Sequence, residues 1–193
     1  SYNLAGPVFR WLSYRTKNPY TYAFIQKADA SGRSRGGLLS HLWKVEGVTP
    51  KSREELVPSH MFPVKGNMVM RSGWSDESTV MIFKAGPNSN HYHVDQGTFY
   101  LMTNGEELVS DAGHGSSYYA NLYYPCYYTQ TIGHNCMLVD GDPQSQVPAD
   151  YENGVTALRD YPRMLHSFAG WNTAEAEGDL TCVYKGKVQN YTR

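Results

Sequence analysis

Apolar residues recur at helix-like intervals only near the start of the chain, at Val8, Trp11 and Leu12 and again at Tyr20, Phe24 and Ile25. Asn18-Pro19 interrupts the series. Proline disfavours a helical residue before it and suits the first position of a new helix, so two short helices are predicted between residues 8 and 28. Ser31 to Gly37 (SGRSRGG) reads as a loop, and the polar, proline-bounded Gly47 to Pro58 as a linker. From Met61 the period shortens. Short β-prone runs at Asn67 to Arg71, Val80 to Phe83, Thr98 to Thr103 and Glu107 to Ser110 are separated by Gly, Asn and Asp. Asn104-Gly105, between the last two runs, is the pair that a two-residue type I′ hairpin turn prefers. Further runs at Cys136 to Val139, Val155 to Leu158 and Thr181 to Tyr184 extend the expectation to an antiparallel β-sandwich over residues 61 to 193.

Composition narrows the function classes. With 193 residues there is room for one good-sized core, or for one domain with a helical appendage. Lys and Arg (17) nearly balance Asp and Glu (18), so the net field favours neither a nucleic-acid nor a membrane-surface partner, and an anionic substrate has to be met by local groups. The 16 Tyr, 4 Trp and 18 Gly suit sheets and carbohydrate-facing clefts better than a helical bundle. Three cysteines (Cys126, Cys136, Cys182) without a CxxC pair indicate neither a disulfide framework nor a cysteine-only zinc site, and allow at most one bridge. No 18-residue apolar run occurs, and Ser1 is not followed by a signal-peptide pattern, so a signal is absent or already removed and the compartment stays open.

The chemistry concentrates in Asn90-His91-Tyr92-His93-Val94-Asp95-Gln96-Gly97. On an extended strand His91, His93 and Asp95 would share a face, and two imidazoles with a carboxylate can hold a divalent metal. The alternative is a pair of exposed or structural histidines. Asp111, after the predicted hairpin, returns a carboxylate towards these histidines, and His134 adds a third imidazole. Between them, residues 118 to 128 carry six tyrosines; a packed aromatic lid or edge strand accounts for most of them, and a phenol can also transfer protons or contact sugar. Arg71 is placed to pair with a substrate carboxylate or to remain solvated, while Gln144 and Gln146 follow the His134 segment and are of a type that contacts sugar.

The ordered set Gly73-Trp74, HxHxDxGxF (His91 to Phe99), Asn104-Gly105, Asp111-Ala112-Gly113, Tyr118-Tyr119 and His134 to Gly141 (HNCMLVDG) resembles the central sheet region of heparinase II/III-type polysaccharide lyases over about residues 61 to 146. The resemblance implies a mainly β fold, an antiparallel β-sandwich at 58–193 preceded by a helical stub and linker at 1–50 from the end of an α/α toroid. It implies a structural zinc held by His93, Asp111 and His134, with His91 and Tyr119 at the reacting sugar. Tyr118, Asn135 and Arg71 are further candidates for substrate contact. Such enzymes cleave uronate-containing acidic polysaccharides by β-elimination. Nothing in residues 1 to 60 matches the Asn-His pair and further tyrosine that the toroid supplies, so the chain is expected to be inactive without a missing N-terminal segment. The resemblance also implies a periplasmic or secreted bacterial parent, with a homodimer left open and the polysaccharide undetermined. Two rivals remain: a cupin-like metal-binding barrel, since Gly86 precedes His91-x-His93, and a non-catalytic carbohydrate-binding module.

Overall fold

A computed structural model describes residues 7–32, 37–87, 93–113, 122–147 and 161–193. The chain divides into two compact units, Ser1–Leu56 and Val57–Arg193. In the first, α1 (Pro7–Thr16) and α2 (Pro19–Ala30) meet at Asn18, whose side chain accepts from the Tyr20 and Thr21 amides, both at 3.0 Å, and so satisfies two donors that open the second helix. A third helix, α3, covers Gly37–Leu42. Phe9 packs on Phe24, an Arg10–Asp29 ion pair ties α1 to α2, and Ile25 and Ala28 are buried. Val8, Trp11, Leu12 and Phe24 remain exposed, because three short helices enclose little volume. Among the described residues no helix is long and apolar enough to cross a membrane.

The second unit is built on two antiparallel sheets. Five strands run in chain order, β1 (His60–Phe62), β2 (Asn67–Arg71), β3 (Val80–Lys84), β4 (Phe99–Thr103) and β5 (Glu106–Val109). The β4–β5 turn has Asn104 at φ 51° and Gly105 at φ 76°, left-handed at both central positions as a type I′ turn requires. Two further strands, β6 (Arg163–Ala169) and β7 (Ala174–Asp179), form the second sheet.

Register decides which face is which. Met68, Phe83 and Phe99 are cross-strand neighbours, and with Met70 they face the second sheet, where Phe83 and Ala85 join Leu180, Val183 and Tyr184 in the core and Met164 and Ala176 pack against them. Gly178 of β7 packs directly on Ala85, just past the end of β3: a Cβ on Gly178 would stand 2.4 Å from that of Ala85, so any larger residue there would push the layers apart. By alternation His60, Val69, Ile82 and Tyr100, also a cross-strand row, project from the opposite face.

Several expected elements differ. Cys136 to Val139 is not a strand: the Cys136 amide folds back to the His134 carbonyl (2.8 Å), the Val139 amide donates to the Ser145 hydroxyl (2.8 Å), and Tyr184 donates to the Met137 carbonyl (2.8 Å), so side chains stand in for a strand partner. Thr181 to Tyr184 forms a 3₁₀ turn, started by the Asp179 carboxylate, which accepts from the Thr181 amide. The strands β1, β6 and β7 were not expected, and β7 (AEAEGD) has little intrinsic strand preference, its conformation coming from pairing with β6. Val155 to Leu158 lies outside the described residues.

Candidate metal centre

Three separate segments meet beside Tyr100. The hairpin register pairs Leu101 with Val109, so the chain leaving β5 brings Asp111 back alongside β4, where the Tyr100 hydroxyl donates to Asp111 Oδ2 at 2.9 Å. The Gly113 amide donates to Asp111 Oδ1 at 3.2 Å. His134 follows a 3₁₀ turn at Thr131–Gly133, and its Nδ1 donates to Asp111 Oδ2 at 2.6 Å. His93 arrives on a third segment, held by the Val94 amide on the Thr129 carbonyl (2.9 Å); its ring centre lies 5.2 Å from that of His134 and 6.2 Å from that of Tyr124.

The pair at the centre is nearly dry, with side-chain exposures of 1% for His134 and 8% for Asp111. Burial works to raise the Asp111 pKa, but the His134 bond and charge and the bonds from Tyr100 and Gly113 outweigh it, so the carboxylate titrates below its ordinary range. A proton on His134 Nδ1 faces the ionised Asp111, and in the neutral imidazole that tautomer carries its lone pair on Nε2; Nε2 is buried and has no hydrogen-bond partner among the described residues. Burial, then repulsion from His134, lowers the His93 pKa, partly offset by Asp95 and Asp111. An unpartnered imidazole nitrogen beside a second imidazole and a carboxylate is donor chemistry that zinc accepts. As they stand, no three His, Cys, Asp or Glu side chains among the described residues are placed to hold a metal ion, and Asp111 occupies the Nδ1 of His134, not the unpartnered Nε2.

The shift at His93 carries a pH dependence. Its folded-state pKa lies below the unfolded value near 6.5, so between the two the unfolded chain binds the extra proton, and stability falls as pH drops through that window. The chelator-treated chain should therefore melt at lower temperature at pH 5 than at pH 7, and His93→Gln should flatten that dependence. Parallel pH profiles for the two proteins would contradict the assignment.

The remaining candidates fall in several places. Residues 93 to 97 are not a strand: the Thr98 amide turns back to the Asp95 carbonyl, and Asp95 pairs with Lys84 instead of sharing a face with His93. His91, Tyr118 and Tyr119 lie outside the described residues. Asn135 donates from Nδ2 to the Phe99 carbonyl (3.2 Å), and its own carbonyl accepts from Arg193 (2.8 Å). Arg71 stacks on Trp74, donates from Nε to the Gly73 carbonyl and lines a groove with Met70, Met81, Leu101, Trp171 and Asn172 that contains none of the three central residues. Gln146 is 1% exposed and bonded to Gln96 and Tyr184, which makes it a brace, not a sugar contact. Tyr100 was missed as a candidate, although the predicted hairpin placed it across from the end of β5.

Comparison with known proteins gives a consistent set of relatives. The family model described as heparinase II/III-like, C-terminal, matches residues 54–173. A heparin-sulfate lyase of Bacteroides stercoris is 37% identical over 65 residues, which are 32% of this chain and 10% of the lyase. Among solved structures, a heparan sulfate lyase from Pedobacter heparinus superposes with a TM-score of 0.53 at 21% identity, covering 91% of this chain and 24% of that one. A heparinase III gene product gives 0.54 at 18% identity, covering 89% and 24%. These likenesses show the fold, an antiparallel β-sandwich, and the chain spans about a quarter or less of each relative.

Proposed function

Because this chain belongs to the heparinase II/III-like C-terminal family, we propose that it forms part of a polysaccharide lyase that cleaves uronate-containing acidic polysaccharides by β-elimination. The weakly acidic C5 proton is removed beside a neutralised carboxylate, and the 4-O group leaves with a proton, which requires an acid, a base and enolate stabilisation at one place. His91 and Tyr119 are assigned these proton transfers by resemblance, with Tyr118, Asn135 and Arg71 as substrate contacts. Segments outside this chain, among them the toroid, complete the cleft, so the chain alone does not turn over. Heparan sulfate, other glycosaminoglycans and alginate-like uronates are the candidate substrates, and a periplasmic or secreted location follows the same resemblance.

His93, Asp111 and His134 are proposed to hold zinc. A bound zinc would supply a structural crosslink among three chain segments, keeping the loop that follows His91 in register with the sheet. The observation that supports the reading is that three separate segments bring His93, Asp111 and His134 together, with Asp111 on His134 Nδ1 and the His134 Nε2 buried and unpartnered. The cupin reading loses support because Asp95 is engaged by Lys84 and because, among the described residues, the strands form two open sheets.

Elemental analysis of the purified chain tests the assignment. Stoichiometric zinc is expected, lost in His93→Ala, Asp111→Ala and His134→Ala. Metal that survives in the Asp111 and His134 variants but disappears with His91→Ala and Asp95→Ala would overturn it in favour of the cupin site. In the longer lyase, His91→Ala and Tyr119→Phe should abolish unsaturated-uronate formation with zinc content intact.

A further inference from the structure

We propose that the outer edge of β7 takes up one more antiparallel strand, a continuation of Tyr191–Arg193 supplied by the longer lyase, whose inward side chains close a groove over Met81 and Leu101. The inference takes from the reading above only that the chain is part of a longer protein. Backbone phase defines the edge. Thr173 accepts from the Gly170 amide (2.9 Å) on the β6 side, whereas Gly178 exchanges both of its bonds with Arg193 (2.9 and 3.1 Å) on the other. By alternation the amides and carbonyls of Ala174 and Ala176 point the same way as those of Gly178, and among the described residues they meet no backbone partner. The Leu180 amide donates to the Tyr191 carbonyl (2.9 Å), so the pairs run antiparallel, and the next ones along that line fall on Ala176 and then Ala174. An open edge of this kind is a template for strand addition.

The facing sheet is uncovered at the same place. β1 packs on β6 and β2 on β7, so β3 and β4 extend past the edge of the two-stranded sheet. Phe83 is covered there by the core around Leu180 and Tyr184, and Phe99 by the Arg193 guanidinium. Met81 and Leu101, cross-strand from Met70 on the same face, instead line the groove that reaches Trp171 and Ala174. Residues directly opposite in an antiparallel pair share a face, so those opposite Ala176 and Ala174 would point with Ala176 towards the core, as Arg193 opposite Gly178 already does. The added strand is therefore expected to carry apolar residues at these two inward places and polar ones between them.

Amide hydrogen exchange on the 193-residue chain and on the full-length lyase tests this. In the 193-residue chain the Ala174 and Ala176 amides should exchange fast while the Gly178 amide, held by Arg193, is protected; in the full-length protein the first two should slow to the rate of Gly178. Fast exchange of Ala174 and Ala176 in both proteins overturns the proposal. So does protection already present in the 193-residue chain: if it grows with protein concentration, two copies pair edge to edge, and if it does not, another part of the same 193 residues fills the edge. The groove gives a second readout. Leu101→Lys should lower the melting temperature of the full-length protein by more than that of the 193-residue chain, because only there is the side chain covered, and equal shifts overturn the proposal. Unsaturated-uronate formation by the full-length protein decides the lyase reading separately, so the two can fail independently.

Discussion

Truncating Gln146 to alanine should lower the stability of the β unit by about 3–5 kcal/mol, a large part of the roughly 5–15 kcal/mol that holds a typical domain folded. Gln146 is 1% exposed and uses its whole amide. Oε1 accepts from the Gln96 amide at 3.0 Å, while Nε2 donates to the Gln96 carbonyl at 2.7 Å and to the Tyr184 hydroxyl at 3.1 Å. The Gln96 side chain in turn accepts from the Gly86 amide at 3.1 Å. Alanine would leave the Gln96 amide without its acceptor in a site that water does not reach, and would open a cavity the size of the lost amide. Each orphaned polar group costs about 1–3 kcal/mol, and the cavity adds to that. Urea unfolding should show a lower midpoint at unchanged slope. A midpoint shift worth less than about 1 kcal/mol would mean that the network is replaced without loss.

Arg193→Ala is expected to cost about 2–3 kcal/mol and to loosen the segments that carry His93 and His134. The Arg193 guanidinium donates from one nitrogen to the Gly97 carbonyl (2.9 Å) and the Asn135 carbonyl (2.8 Å), and stacks 4.7 Å from the centre of the Phe99 ring. Those two carbonyls belong to the segments that deliver His93 and His134, so one side chain clamps both. Lysine should not rescue the variant, because an ammonium lacks the planar fork that bonds and stacks at once. Thermal melts of Arg193→Ala and Arg193→Lys, with zinc content beside them, check this; a lysine variant matching wild type would show that charge alone suffices.

Strands β2 to β5 and the α1–α2 break were legible along the chain because their signals are local. Asn104-Gly105 prefers left-handed dihedrals, Asn18-Pro19 ends one helix and caps the next, and alternating apolar residues mark a half-buried strand without reference to distant contacts. The return of Asp111 towards His134 was legible too, since the hairpin that brings it back depends on sequence spacing. Tertiary structure decided the rest. Short apolar runs such as Met137 to Val139 carry no local mark that separates a strand from a supported loop; the choice fell to donors from Ser145 and Tyr184. The weak strand propensity of Ala174–Asp179 was overridden by its pairing with β6 and by the close fit of Gly178 on Ala85. Nothing local to Asp95 or Asp111 names its partner, and the fold gave one to Lys84 and the other to His134 and Tyr100. Sequence spacing sets what the backbone can do nearby, whereas the partner of a buried polar group is settled by which distant segments the core brings within hydrogen-bond reach.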